Sequence, residues 1–366
     1  MKFTCSKNSI INEISIAQDI ISSRNALSIL SNVLIEADSN SLVIKATDLK
    51  VGFETKIPVS VETPGSTTVY CDKFLGILRA MPDGDIIFSV EDQKLDIRSS
   101  DGNINFQLKI IESEKYPSLK NVSDDSYFSI SQKDFIEMVN QTIFAVSDDE
   151  TRYFMNGVYL ESRDGKIIMV ATDGRRLSLI SKDSSSLAEN FESIIIPVKI
   201  LSLIKKLASG EGEFLLAVSE KTLFIKFDSN KIYSNLIEGQ FPNYQRVIPE
   251  KQDHIAIIGK NDLLSALRRV SVLAEQKSKR VYMHISENKV EIYTEESDIG
   301  TAHETLSCEY SGDDYTLVVN YMYLLEPVKV MEEDDVSIKF TESSKAITIN
   351  SVPERDYFHI VMPMQV

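Results

Sequence analysis

Cysteine is scarce and odd in number: Cys5, Cys71 and Cys308 lie far apart in a chain of 366 residues. That excludes a disulfide framework and predicts reduced, mostly buried thiols. Histidine is nearly as scarce. His254, His284, His303 and His359 show no metal-ligand spacing, and no CxxC accompanies them. No apolar run approaches the roughly 18–20 residues needed to span a bilayer. The opening MKFTCSKNSIINEISIAQ is broken by polar residues and lacks a signal-peptide core, so a cytoplasmic protein is expected. Catalytic signatures are missing as well. There is no GxxxxGK[ST], HExxH or GxSxG, and Gly210 and Gly212 are not extended into GxGxxG. The run Glu332-Glu333-Asp334-Asp335 reads as a solvated turn beside a strand. No metal or cofactor is implied, and an enzyme is not expected. Positive charge is in deficit: 39 basic against 55 acidic side chains give −16. As a total, that argues against nucleic-acid binding, which normally needs a basic face.

What is present is a repeat. ATDLK (46–50) and ATDGRRL (171–177) each follow a run of β-formers, and their threonines stand 125 residues apart. Before each lies helical spacing (Ile10, Ile14, Ala17, Ile21; then Phe135, Val139, Ile143, Val146), followed by strand, turn and strand. A weaker third copy has Leu263, Leu267, Val270 and Leu273, then VYMHISENKVEIYTEES, with Thr294-Glu295 near the Thr-Asp position. A second half, one short helix and then two strands, also occurs three times, beginning at YCDKFLGIL, IPVKILSLI and VNYMYLLEP. IESEKYPSL (111–119) and IEGQFPNY (237–244) echo each other between copies. Units of about 120 residues are far longer than the ~20–50 of a solenoid, so we expect three tandem domains, each with its own core. Taken alone, Thr-Asp suits a strand end and a tight bend, where Asp bonds nearby amides.

The charge is unevenly spread. Six helical stretches (6–24, 72–80, 131–152, 197–207, 261–280 and 320–332) carry 15 basic and 12 acidic residues. The remainder carries 24 basic and 43 acidic residues. Helices facing one way would make a face that holds phosphates without reading bases, while an acidic exterior would repel DNA. Ordinary i,i+4 decoration of surface helices is the alternative.

ATDGRRL, RYFMNGVYLES (152–162), FPNYQRVIP (241–249), the closing VMPMQV and the triple repeat together resemble the bacterial sliding clamp, the β subunit of DNA polymerase III. The resemblance covers essentially the whole chain. It implies an α+β fold of three clamp domains (1–122, 127–252 and 253–366), each with two helices packed on two antiparallel β-sheets. Two chains would dimerise head to tail into a six-domain ring around double-stranded DNA. It implies a processivity factor that tethers the replicative DNA polymerase and other clamp-binding-motif proteins, with a separate clamp-loader ATPase opening the ring. The alternative is a peptide-binding scaffold without a DNA role.

By motif, the partner-peptide cleft would comprise Met155, Thr172, Gly174, Arg175, Arg176, Leu177, Pro242, Arg246, Val247, Ile360, Met362, Pro363, Met364, Gln365 and Val366. Unbranched Met suits a groove that accepts several peptides. Arg175 stands where the family often has His, and Gln365 where it often has Arg, so the charge pattern of the rim is altered. The resemblance and the helix positions give Arg24, Lys73, Arg79, Arg152, Tyr153, Lys199 and Lys205 as DNA contacts. Asp148-Asp149-Glu150 make that neighbourhood unusually acidic. An edge strand bearing Phe106 and Leu108 would meet a helix bearing Val272 and Leu273 at the dimer seam.

Overall fold

The computed structural model describes residues 1–21, 29–183 and 191–365. One joint recurs six times in it: a strand runs straight into a helix with no residue between. Lys2–Ser6 leads into α1 (Lys7–Ile20), Gly65–Tyr70 into α2 (Cys71–Ala80), and Phe128–Ser131 into α3 (Gln132–Thr142). Ile194–Pro197 leads into α4 (Val198–Leu207), His254–Gly259 into α5 (Lys260–Val270), and Tyr315–Asn320 into α6 (Tyr321–Val330). Side-chain caps open α1 and α6. The Ser6 hydroxyl accepts from the Ser9 amide at 3.2 Å, and the Asn320 side chain accepts from the Met322 amide at 2.9 Å. Helix α4 shows the general pattern: Ile200, Leu201, Leu203 and Ile204 are buried, while Lys199, Lys205 and Lys206 are exposed.

The chain divides into two compact units, Met1–Gln132 with Ser202–Leu236, and Lys133–Leu201 with Ile237–Val366. The first unit contains a 13-stranded sheet, continuous from Phe128–Ser131 at one end to Ser60–Thr63 at the other. Helices α1 and α2 pack together over a core that includes Ile10, Ile14, Phe74 and Leu78. Phe88 stacks on Phe3 with ring centroids 4.7 Å apart. The second unit holds an eight-stranded sheet and a four-stranded one, and in it α5 packs on α6. Every strand pairing described in these sheets is antiparallel. All three cysteines are free and buried, and burial drives the Cys5 and Cys71 thiols up to about 12.

Two helices are shorter than their periodicity predicts. The stretch 131–152 is α-helical only to Thr142, whose hydroxyl bonds back to the Met138 carbonyl at 2.7 Å. Short 3-10 segments, Ile143–Ala145 and Glu150–Met155, follow. The stretch 261–280 stops at Val270 and gives way to a 3-10 turn, Ser271–Leu273. Ser271 Oγ donates to the Arg268 carbonyl there, so a side chain competes with the helical ladder. Lys277 and Lys279 therefore lie beyond the helix, and Arg280 opens a strand. The bias survives this correction: the six α-helices carry 11 basic and 7 acidic side chains in a chain of net charge −16.

Candidate peptide-binding cleft

The two Thr-Asp copies are the same turn. In the second, Thr172 Oγ1 donates to the Arg176 carbonyl at 2.6 Å and accepts from the Gly174 amide at 3.0 Å. Asp173 accepts from the amides of Arg175 and Arg176 at 2.8 and 3.0 Å. In the first, Thr47 Oγ1 donates to the Val51 carbonyl at 2.8 Å and accepts from the Leu49 amide at 3.0 Å. Asp48 accepts from the amides of Lys50 and Val51 at 2.9 and 2.7 Å. The third copy departs from this. The Thr294 amide donates to the Ala302 carbonyl and its hydroxyl accepts from the Ala302 amide, both at 3.0 Å, closing a longer loop.

The second turn lies at one end of the candidate cleft. Strand Arg176–Asp183 carries Leu177 beside Ile360 of strand Tyr357–Val361, and both are buried. Around them lie Val170, Phe241 and Tyr244, with Tyr159 stacked on Phe241 at 4.7 Å. Tyr244 donates to Glu161 at 2.6 Å, and burial with that carboxylate pushes its phenol well above the usual tyrosine range. Met155 and Thr172 are also buried. On the open side are Arg175, Arg246, Val247 and Met362, with Pro242 half-buried. The C-terminal segment is fastened at two points. The Met362 amide donates to the Arg175 carbonyl at 2.9 Å, and the Met364 amide to the Val318 carbonyl at 2.7 Å. Pro363 and Met364 are half-buried along this path and Gln365 is exposed. Val366 lies outside the described residues.

Arg176 is not a free rim cation. Its guanidinium bonds Asp173, Glu326 of α6 and the Phe144 carbonyl, and it lies over the rings of Tyr323 and Phe144 at 4.7 and 5.7 Å. Beneath it His359 is fully buried, with Nδ1 at 2.9 Å from Ser178 Oγ. Burial, reinforced by Arg176, holds this imidazole down at about 3, so it is neutral.

The other predicted residues are distributed between the two units. Lys73 and Arg79 on α2 and Lys205 on α4 belong to the first, and all three are exposed. Arg152, Tyr153 and Lys199 belong to the second, also exposed. Arg152 is bonded to Asp149 at 3.0 Å, and its guanidinium lies 3.0 Å from where a Cβ on Gly174 would stand. It therefore touches the cleft turn. Arg24 lies outside the described residues.

Strand Asn105–Ile111 is an edge only in part. Ile110 and Ile111 pair with Val69 and Thr68, while residues 105–109 pair on one side only, with Lys94–Ser99. Phe106 is exposed there and Leu108 is half-buried. Val272 and Leu273 stand in the 3-10 turn after α5, not in the helix. Together with Ile299 they line a cavity of about 630 Å³, and Val272 is 78% exposed.

Three family models match in tandem: DNA polymerase III beta subunit, N-terminal domain, over residues 1–120; the central domain over 129–243; and the C-terminal domain over 245–365. The beta sliding clamp of Treponema pallidum is 41% identical over 369 residues, with all of both chains covered. The chain belongs to the bacterial β sliding clamp family. It is a DNA polymerase III processivity subunit built of three tandem clamp domains, and it is not an enzyme. The crystal structure of DNA polymerase III subunit beta from Pseudomonas aeruginosa matches with a TM-score of 0.93 at 26% identity over all of both chains. A sliding clamp from Bartonella birtlesii bound to griselimycin matches over all of both chains with a TM-score of 0.93 at 29% identity.

Among the described residues, no helix is long and apolar enough to cross a membrane, and no cluster of three His, Cys, Asp or Glu is arranged to hold a metal. Sequence reasoning missed the aromatic walls of the cleft (Tyr159, Phe241 and Tyr244) and the partners of Arg176 (Phe144, Tyr323 and Glu326). The FPNY motif did signal Phe241 and Tyr244, which flank Pro242, and Tyr159 lies in RYFMNGVYLES.

Proposed function

We propose that two copies of this chain join head to tail into a six-domain ring that encircles duplex DNA and tethers the replicative polymerase. The domains divide at residues 1–122, 127–252 and 253–366. The seam brings the one-sided strand around Phe106 and Leu108 of one copy against Val272 and Leu273 of the other. The helices face the duplex, with Arg24, Lys73, Arg79, Arg152, Tyr153, Lys199 and Lys205 meeting phosphate through salt-sensitive contacts that carry no sequence information. A clamp-loader ATPase opens the ring, and the work is done in the cytoplasm. The observation that supports this most directly is charge: the helices are net basic in a strongly acidic chain.

The polymerase and other clamp-binding proteins dock a short peptide in the cleft. Leu177 and Ile360 seat its apolar side chains, and the C-terminal segment walls it. Retention on DNA tests the ring. The protein, once loaded, should stay on nicked circular DNA and run off the same DNA after linearisation. Equal loss from both would leave a peptide-binding scaffold. Griselimycin tests the cleft. Deleting residues 362–366 should abolish its binding while leaving the dimer intact, and unchanged affinity would sink the assignment.

A further inference from the structure

The cleft has a counterpart within the first unit. Strand Val51–Pro58 follows the first Thr-Asp turn as Arg176–Asp183 follows the second. It pairs Val51 with Ser234 and Gly52 with Tyr233, just as Arg176 pairs with Val361 and Leu177 with Ile360. The Asn235 amide donates to the Lys50 carbonyl at 2.8 Å, where the Met362 amide donates to the Arg175 carbonyl at 2.9 Å. Tyr116-Pro117-Ser118-Leu119 stands where Phe241-Pro242-Asn243-Tyr244 stands in the cleft.

The contents of the two places differ. Gly52 replaces Leu177, and the Tyr233 ring fills the vacated space, only 2.0 Å from where a Cβ on Gly52 would be. Beside that ring remains a cavity of about 200 Å³, walled by Leu119, Val122, Tyr127 and Phe224. Lys120, Lys226 and Lys231 also line it, against two carboxylates, Glu54 and Asp124. Lys226 stands 4.1 Å over the Tyr127 ring and is paired at 2.5 Å with Asp124, whose side chain is 89% exposed. Lys120 is bonded to neutral oxygens, Thr222 Oγ1 at 3.1 Å and Asn235 Oδ1 at 2.7 Å.

We propose that this cavity is a second peptide site, taking a short acidic segment that inserts one aromatic or branched side chain. The walls accept the apolar anchor. Lys231 stays paired with Glu54 at 2.8 Å, so Lys120 and Lys226 select flanking carboxylates, and one of those displaces Asp124 from Lys226. An ion pair as exposed as Asp124–Lys226 contributes little by itself, so the exchange is cheap. A second copy of the cleft's own apolar ligand is disfavoured, because the Tyr233 ring, not an aliphatic pair like Leu177 and Ile360, fills the space at Gly52.

The test uses the full chain with labelled isoleucine methyl groups, the tripeptide Ac-Asp-Phe-Asp-amide, and its neutral analogue Ac-Asn-Phe-Asn-amide. The acidic peptide should shift the Ile232 methyl, which lines the cavity, and leave the Ile360 methyl in place. The neutral analogue and Lys226→Gln should each weaken binding about fivefold or more, and Lys226→Arg should restore most of it. Asp124→Asn should tighten binding about two- to threefold by removing the internal competitor. Equal affinity for the two peptides, a shift at Ile360 alone, or weaker binding by Asp124→Asn would overturn the proposal. Griselimycin, read at Ile360 on the same sample, separates the two sites. Its failure to bind would count against the cleft and leave the result at Ile232 standing.

Discussion

Leu49 and Gly174 occupy the same position in two copies of one turn, and both have left-handed backbone, with φ of +73° and +87°. The first copy tolerates leucine because the side chain points to solvent, 55% exposed. In the second copy a Cβ would meet the Arg152 guanidinium at 3.0 Å. Gly174→Ala should therefore cost about 1–2 kcal/mol in urea unfolding, from the left-handed penalty together with displacement of Arg152. Leu49→Gly should change stability by less than about 1 kcal/mol, because relieved strain offsets the added freedom of the unfolded chain. Equal effects at the two positions would rule out the contact with Arg152 as the difference. His359 gives a second test at this scale. Its folded-state value is depressed to about 3 from an ordinary 6.5, so below 6.5 the unfolded chain takes up a proton that the folded chain refuses. The contribution is complete above pH 6.5 and is lost as pH falls toward 3, at up to about 1.4 kcal/mol per pH unit. Unfolding of the wild type and of His359→Phe, followed from pH 7.5 to 5, should show this slope only in the wild type.

At the level of elements, Arg176 joins four pieces of chain: the Thr-Asp turn, the 3-10 segment at Phe144, the strand it opens and α6. A planar fork that stacks on two rings cannot be replaced by a point charge. Arg176→Lys should cost about 2 kcal/mol or more, since Glu326 and Asp173 lose partners in a largely shielded place. It should also raise amide exchange in α6. An unchanged exchange rate there would show that Glu326 does not hold the helix. None of this was legible beforehand. The ATDGRRL string marked Arg176 as a cleft residue and holds Asp173, but Phe144 and Glu326 lie 32 and 150 residues away in sequence. The repeat, the six helices and the strands were legible, because apolar periodicity reports which face is buried, whereas antiparallel pairing was implied only by the family resemblance. The ends of α3 and α5 were not, since periodicity continues through 3-10 turns while the hydroxyls of Thr142 and Ser271 divert the backbone bonds. The aromatic walls were missed for a related reason. Phe241 and Tyr244 stand in the FPNYQRVIP motif, but only the fold sets them beside Ile360.

For the whole molecule, the proposed ring would close through apolar surface that one copy leaves uncovered. Val272 at 78% and Ile299 at 86% exposure are large apolar side chains beside a cavity, and Phe106 stands on a strand stretch with one side unpaired. A seam built this way joins different surfaces of two identical chains, so two copies suffice only if the rotation between them closes. Light scattering at micromolar and nanomolar concentration should then give about twice 41.2 kDa. Val272→Glu with Leu273→Glu places unpaired charge in an apolar contact and should yield monomer. Added salt gives the control. The ring on DNA should weaken as salt screens the helix lysines, whereas a seam held by apolar burial should survive the same salt. Splitting of the free dimer by salt would mean that charge, not Val272, Leu273 and Phe106, holds the two copies together.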